Sequence, residues 1–189
     1  DASTNPEVAQ ILEKYLRLDE RIKVTFRGKN GHISAASNSA LELCTGEFTA
    51  LLDHDDELTP HALYLITEEI FANPEADLIY SDEDKLDAAG KLEFPHFKSD
   101  WNPDLFYSQN YLNHLTTIRT RILKEIGGFR LGFEGSQDYD LLLRVLEKTT
   151  PRQIRHIRHV LYHWRKAEGS VALHGDEKNY TETAAIRAL

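Results

Sequence analysis

The alternation of helical and strand-like hydrophobic patterns over residues 6–82 constrains the fold of this chain more than any other feature. Three segments carry apolar residues at helical spacing, and short β-rich runs separate them. The helical segments are 6–18, 32–44 and 59–74, and the strand-like runs are 22–26, 47–53 and 76–82. This order predicts βαβ units, and therefore an α/β fold with a mostly parallel sheet flanked by helices.

The second half of the chain is less regular and predicts shorter elements. Residues 82–94 contain the turn "AAG" between two polar arms and predict a hairpin, and residues 95–113 are expected to cover the sheet. The remaining predictions are strands at 114–118, 154–157 and 160–164, a short helix at 121–126 stopped by Gly127 and Gly128, an amphipathic helix at 138–148 and a weak helix at 179–189.

Length and composition limit the class of protein. A chain of 189 residues fits one domain with its own core, and a formal net charge of −9 without a Lys/Arg run argues against nucleic-acid binding. The single cysteine, Cys44, excludes an internal disulfide and a multi-cysteine zinc site. No apolar stretch approaches the roughly 20 residues of a membrane span, and no signal peptide is visible.

The segment "LLDHDDEL" (51–58) is the first candidate site. It places Asp53, Asp55, Asp56 and Glu57 directly after an apolar strand-like run. Ligands of open α/β sheets bind beyond the carboxyl ends of strands, and Asp oxygens suit Mg²⁺ or Mn²⁺ that shares a substrate phosphate. The alternative is a solvated turn whose acids lie near the N-terminus of the next helix. The loop alone leaves both interpretations open.

A second acidic cluster, "GFEGSQDYDLLLR" (132–144), opens the amphipathic helix. Asp138 could accept a proton from a hydroxyl nucleophile if it is ionised and within hydrogen-bond reach. The alternative is that Ser136 caps the helix while Asp138 and Asp140 complement its dipole. For Asp140 we favour the dipole interpretation.

Three motifs in this order resemble the inverting nucleotide-sugar glycosyltransferases of family 2, which have the GT-A fold. "LLDHDD" is similar to the family's D-x-D motif, "SQDYDLLLR" to its E-D-x-D-L element with Gln137 in place of the commoner Glu, and "DAST" to the end of a strand that reads D-D-x-S. The resemblance extends from Asp1 to about Ala172, and includes "VLYHWRKAEGSVA".

The resemblance implies a base and a metal site. Asp138 would deprotonate the acceptor hydroxyl, and Asp55 would bind a divalent cation, Mn²⁺ or Mg²⁺. Asp53 would contact the ribose of the donor or the metal's shell. His163 is an additional candidate metal contact, although a lone strand histidine is more often structural.

The same resemblance implies a binding site for the donor nucleotide. Asp1 and Ser3 would face the base, and Arg165, with Ser170 nearby, would reach the pyrophosphate. The expected halves of the single domain are residues 1–82 for donor and metal and 83–175 for the acceptor, followed by a C-terminal helix at 176–189.

The function implied by the resemblance is transfer of a sugar from a nucleoside diphosphate to a hydroxyl acceptor with inversion. Residues 78–115 look like the acceptor-side insert of transferases that build bacterial cell-surface polysaccharide. The implied acceptor is a saccharide or a lipid-linked saccharide. The implied location is cytoplasmic, with peripheral association at the inner face of the membrane left open.

Departures from the family's pattern qualify these expectations. The strand and loop that hold the nucleotide base in the family would precede Asp1, so we expect this chain to lack the first strand and to be inactive alone. Ser37 stands where many relatives have Arg, and His32 where many have Gly, which leaves the donor open.

Two other functions are retained as alternatives. Haloacid-dehalogenase-type phosphatases also place D-x-D after a strand, but at the founding strand, whereas here a whole βα unit precedes Asp53. A non-catalytic sugar- or nucleotide-binding module of the same fold would keep the acids without turnover.

Overall fold

The computed structural model describes residues 1–166 and 179–189. Its helices are α1 (Pro6–Leu18), α2 (His32–Glu42), α3 (Ala62–Ala72), α4 (Pro103–Ser108), α5 (Thr120–Glu125), α6 (Gln137–Leu146) and α7 (Asn179–Ala188). Its strands are β1 (Phe48–Leu51), β2 (Glu57–Leu58), β3 (Leu78–Leu86), β4 (Leu92–His96), β5 (Thr116–Arg119) and β6 (Ile154–Arg165). None of the helices described in these two segments is long and apolar enough to cross a membrane.

The sheet is mixed, so the prediction of a mostly parallel sheet is wrong. Its order is β1-β5-β3-β6-β2, with β4 paired to the edge of β3. β3 and β6 are parallel, whereas β5 is antiparallel to both β1 and β3, and β2 is antiparallel to β6. β1, β3 and β6 therefore share one direction, as the βα alternation predicts. The reversal of β5 arises because the excursion of residues 87–115 turns the chain before β5 inserts between β1 and β3.

The run at 22–26 is not a strand, contrary to the prediction. It has no ladder partner in the described segments, and Phe26 is 54% exposed. β-branched and aromatic composition gives a strand only where a neighbouring strand supplies the hydrogen bonds. The predicted hairpin at 82–94 does form, from the end of β3 and β4.

The observed ends of the helices agree closely with the predicted ends for α1 and α5 but not for α3. α1 has the predicted bounds, and the Asn5 side chain caps it by accepting a hydrogen bond from Glu7 N at 2.9 Å. α3 begins at Ala62, three residues after the start of the predicted segment at residue 59. The backbone N–H of Thr59 instead donates to Leu161 O on β6 at 3.0 Å, which keeps this residue at the sheet. Gly127 and Gly128 end α5 with φ of 77° and 69°, as predicted.

The core covers both faces of β3. Leu78 and Tyr80 belong to one buried cluster, which includes Phe106 and residues of α6, and Ile79 belongs to a second cluster with Tyr162. Because side chains alternate along a strand, these two clusters lie on opposite faces of the sheet.

Beyond Tyr80, β3 becomes acidic while it is still within the sheet. Each acid is paired with a histidine from another part of the chain. The pairs are His156 Nε2 and Asp82 Oδ1 at 2.8 Å, His114 Nδ1 and Glu83 Oε2 at 3.1 Å, and His163 Nδ1 and Asp84 Oδ1 at 2.5 Å. These contacts satisfy carboxylates that would otherwise be costly to bury.

Asp140 on α6 is fully buried, and two arginines bind its carboxylate. Arg130 Nε donates to Oδ1 at 2.8 Å, while Arg144 Nη2 donates to Oδ2 at 2.9 Å. Arg144 also donates to the carbonyls of Ile126 and Gly128 after α5. Asp140 thus ties α6 to the preceding loop, which is a more specific role than the predicted interaction with the helix dipole.

We expect Asp140→Asn to lower the free energy of unfolding of the intact protein by roughly 3–5 kcal/mol, since it removes the buried charge that compensates the partly buried Arg144. Chemical denaturation measures the change. Asp104→Asn is the matched control, because Asp104 is exposed in the first turn of α4 and its loss should cost only about 0.5 kcal/mol. Equal effects of the two substitutions would contradict the structural role of Asp140.

Candidate active site

The acidic loop after β1 is held against β6 by Tyr162. The Tyr162 hydroxyl donates to Asp56 Oδ2 at 2.5 Å and accepts from the backbone N–H of Asp53 at 3.3 Å. The backbone N–H of Arg165 donates to Asp56 Oδ1 at 2.8 Å. Asp56 therefore anchors the loop, and burial raises the pKa of its carboxyl. The other two Asp residues of the loop are left to face outward.

Asp53 and Asp55 keep accessible carboxylates, with 46% and 37% of their side chains exposed. No group of three His, Cys, Asp or Glu side chains in the described residues is arranged to hold a metal by itself. Mg²⁺ and Mn²⁺ sites that borrow oxygens from a diphosphate need only one or two carboxylates, so this pair fits such an ion.

His163 lies on β6 opposite Glu57 of β2, next to the acidic loop. Its Nδ1 is 2.5 Å from Asp84 Oδ1, and 14% of its side chain is exposed. A carboxylate on one ring nitrogen fixes the orientation of the other nitrogen. The contact with Asp84 is a structural role for His163 within the sheet. A metal contact through Nε2 stays a prediction.

Arg165 lies directly on the acidic loop. Its Nε donates to Asp55 O at 2.7 Å, and its Nη2 pairs with the Glu57 carboxylate. Contact with a pyrophosphate stays a prediction for this side chain. Ser170, predicted to lie near it, is outside the described residues.

Asp1 is bound at the start of α2. Its carboxylate accepts from Arg27 Nε at 2.8 Å and from Gly31 N at 3.0 and 3.1 Å, and Ser3 is exposed before α1. His32 opens α2 with φ of 60°, in the left-handed region that favours glycine.

Asp138 lies where three cavities meet. A cleft of about 180 Å³ lies between α2 and the end of β1, and Ser37, Asp53 and Asp138 line it. A pocket of about 350 Å³ lies on the side of residues 107–113 and α7, and Asp138 lines it too. Asp138 also borders a cavity of about 20 Å³ together with Asp53. The two acidic segments thus share one hollow through Asp53 and Asp138, whereas Asp55 lies outside the linings of these cavities.

The electrostatics at Asp138 suit a proton acceptor. Burial raises the pKa of its carboxyl to about 6, and the nearby negative charge of Asp53 contributes to the rise. Gln137 Nε2 donates to Asp138 Oδ2 at 3.0 Å and favours the ionised form. A carboxyl with this pKa is ionised at neutral pH and still basic enough to take a proton.

His114 is a part of the site that the sequence did not reveal. Its backbone N–H donates to Glu83 Oε2 at 2.6 Å, and its Nε2 is 3.8 Å from Asp53 Oδ2. Buried Lys98 supports this segment by donating to the carbonyls of Asn113 and His114 at 2.5 and 2.6 Å. Burial lowers the pKa of Lys98 to about 8. No local pattern marks His114, because its partners come from distant segments.

Comparisons with known proteins show which sequences this chain is similar to. The model of glycosyl transferase family 2 matches residues 1–131. The uncharacterized protein y4gI of Sinorhizobium fredii is 50% identical over 189 residues, which is 100% of this chain and 21% of that protein. The O-antigen biosynthesis protein RfbC of Myxococcus xanthus is 40% identical over 189 residues, which is 100% of this chain and 15% of that protein. The chain thus spans about a fifth or less of these relatives.

Solved structures show the same fold. Crystal structures of Staphylococcus aureus TarS 1-349, one of them in complex with UDP, superpose on this chain with a TM-score of 0.70 at 22% identity. The match covers 87% of this chain and 49% of the TarS chain in the structure without UDP. The predicted GT-A fold is confirmed, with its mixed sheet.

The raised pKa of Asp138 predicts a pH-dependent cost to stability. The pKa of the Asp138 carboxyl is about 6 in the folded state, against the ordinary value of 3.8. The protonated carboxyl therefore favours the folded state, fully so below pH 3.8. This contribution to the free energy of unfolding is lost as the pH rises from 3.8 to about 6. Asp138→Asn should therefore be more stable than the wild type by roughly 1–3 kcal/mol above pH 6, with the difference vanishing near pH 4.

Thermal unfolding of the intact protein in metal-free buffer across this pH range measures the difference. Asp104→Asn, at an exposed position, should give a curve parallel to the wild type. A constant difference between Asp138→Asn and the wild type at all pH values would contradict the pKa assignment.

Proposed function

The chain belongs to glycosyl transferase family 2, and from this premise we propose that the protein containing it transfers a sugar from a nucleoside diphosphate to a hydroxyl acceptor with inversion. The observation that carries the proposal is the position of Asp138 between the 180 Å³ cleft at the end of β1 and the 350 Å³ pocket on its other side. One carboxylate can then act on an acceptor while a donor occupies the cleft.

The donor belongs in the cleft, with its diphosphate at the acidic loop. Asp53 and Asp55 offer accessible oxygens there, and the Arg165 guanidinium lies on the same loop. UDP is the first nucleotide to test, because a structural neighbour was crystallised with it. Asp1, Ser3, His163 and Ser170 remain the further candidates for base, metal and pyrophosphate contacts.

The reaction needs one base and one stabilised leaving group. Asp138 accepts the proton of the acceptor hydroxyl as that oxygen forms a bond to the anomeric carbon, and the bond to the diphosphate breaks with its electrons on the leaving oxygen. Attack from the face opposite the leaving group inverts the anomeric carbon. Mg²⁺ or Mn²⁺ held by Asp55 and Asp53 would stabilise the charge on the diphosphate. Arg165 adds a positive charge at the same place.

The acceptor belongs in the 350 Å³ pocket. Exposed Tyr107 offers an aromatic face there, and Asn110 and Asn113 add amide groups, with Asp138 at the wall. An aromatic surface beside neutral hydrogen-bonding groups suits a saccharide or the sugar end of a lipid-linked saccharide. The role in cell-surface polysaccharide synthesis rests on the name of the relative RfbC. A cytoplasmic location follows from the use of nucleotide sugars.

A non-catalytic binding module is the alternative that still needs a test. It would keep the cleft and the acidic loop but would not need a carboxylate of raised pKa between donor and acceptor. The phosphatase alternative conflicts with membership of the family. Because the chain spans a small part of its relatives, all experiments use the intact protein.

Two substitutions should separate binding from turnover in the intact protein. Asp138→Asn should lower donor hydrolysis and transfer by about 10²–10⁴-fold, because it removes the base, while the affinity for UDP with Mn²⁺ changes little. Asp55→Asn should weaken Mn²⁺-dependent UDP binding itself. Calorimetric titration with UDP and a turnover assay over a panel of UDP-sugars measure both effects.

The exposed variant Asp104→Asn is the control for both assays and should match the wild type. Normal turnover in Asp138→Asn would remove this residue from the role of base. UDP binding that Mn²⁺ does not affect, together with absent turnover in the wild type, would favour the non-catalytic module.

A further inference from the structure

His114 is held in place by three residues on two strands, β3 and β6. Glu83 on β3 accepts from its backbone N–H at 2.6 Å and lies 3.1 Å from its Nδ1. The imidazole stacks on the Tyr162 ring with centroids 4.7 Å apart and an interplanar angle of 20°, and the Trp164 ring lies 5.4 Å away. Only 20% of the side chain is exposed. The free edge of the ring therefore points in one fixed direction.

The reversed direction of β5 brings this free edge opposite the acidic loop. β1 and β5 are antiparallel, with Leu51 opposite Thr116, so the residue two positions after Leu51 meets the residue two positions before Thr116. These residues are Asp53 and His114. His114 Nε2 and Asp53 Oδ2 are 3.8 Å apart, which is too long for a direct hydrogen bond.

The space beside this pair has the size of one small polar group. His114 and Asp53 line the cavity of about 20 Å³ together with Asn113, Thr116 and Asp138. A cavity of about this volume holds a single water molecule or hydroxyl. Polar atoms border it on several sides, so an oxygen placed there can form hydrogen bonds.

We propose that His114 and Asp53 together bind one hydroxyl of the transferred sugar. A hydroxyl has one hydrogen and two lone pairs, so it can donate to the Asp53 carboxylate and accept from an N–H at His114 Nε2. The group is a hydroxyl rather than a carboxylate, because Asp53 and Asp138 border the cavity and would repel a negative charge. The inference rests on the proposed function and adds a specificity-determining residue to it.

The position of Asp138 identifies the transferred sugar rather than the acceptor as the source of this hydroxyl. The acceptor reaches Asp138 from the 350 Å³ pocket, whose lining does not include His114. The reacting carbon of the donor must come close to the acceptor oxygen that Asp138 binds. The sugar ring therefore lies between Asp53 and Asp138, above the small cavity.

The test compares UDP with UDP-sugars in the intact protein with Mn²⁺. His114→Phe keeps the stacking on Tyr162 but loses the ring nitrogens, and it should weaken binding of UDP-glucose, UDP-galactose or UDP-N-acetylglucosamine, whichever the wild type prefers, by about tenfold. The affinity for UDP should stay within about twofold, since UDP has no sugar hydroxyl in this cavity. His114→Gln, which keeps a polar group at the cavity, should retain part of the affinity.

His96→Phe is the matched control. His96 Nδ1 also lies near Glu83, at 3.4 Å from Oε1, but His96 does not line the cavity. This variant should bind UDP and the UDP-sugar as the wild type does. If His114→Phe weakens the binding of UDP and of the UDP-sugar equally, His114 only supports the loop and the inference is wrong. If it weakens the binding of neither, the inference is also wrong.

Deoxy analogues of the preferred donor test the same point without relying on the fold of a variant. One deoxy donor should bind the wild type about tenfold more weakly than the parent and bind His114→Phe no worse than the parent does. If every deoxy donor binds the wild type like the parent, no hydroxyl occupies the cavity and the inference fails while the nucleotide site stands. A wild type that binds no UDP with Mn²⁺ defeats the proposed function itself.

Discussion

The hydroxyl of Tyr162 is the contact on which the geometry of the site depends. It joins the backbone of Asp53 to the carboxylate of Asp56 and fixes the acidic loop to β6. Four acids in a short loop repel one another, and this anchoring gives one of them a buried partner while two others face outward. The Tyr162 ring also supports His114 by stacking. One residue of β6 thus positions groups from both sides of the site.

The acidic residues at the end of β3 help to determine how the strands of the sheet pair. Asp82, Glu83 and Asp84 are each matched by a histidine that belongs to β6 or to the segment before β5. A register shift between β3 and β6 occurs at this acidic stretch. An unpaired carboxylate in a sheet interior is costly, so alternative pairings of these strands would leave at least one acid unsatisfied. The acids therefore help to specify the arrangement that aligns the site.

The sequence predicted those features that depend on local pattern. The bounds of α1, the glycine stop after α5 and the hairpin of β3 and β4 follow from periodicity and turn residues. The position of the acidic loop directly after β1 follows from the apolar run before it, whereas the shared hollow of Asp53 and Asp138 depends on how distant segments pack. Their chemical roles remain predictions.

The features that the sequence did not predict depend on partners far apart in the chain. β5 inserts in reverse between two strands that periodicity had made neighbours, and the run at 22–26 lacks a ladder partner in the described segments. His114 and Glu83 are separated by 31 residues, and His163 and Asp84 by 79. Single-sequence reasoning cannot pair such residues, because nothing near either one indicates the other.

Under the proposed function, the insertion of β5 places the acceptor and donor contacts in separate parts of the chain. The chain between β4 and residue 112 forms one wall of the 350 Å³ pocket, whereas the spacing of His114 from β5 is fixed by strand register. Lengthening or shortening that excursion would reshape one wall and leave the contact across from Asp53 unchanged.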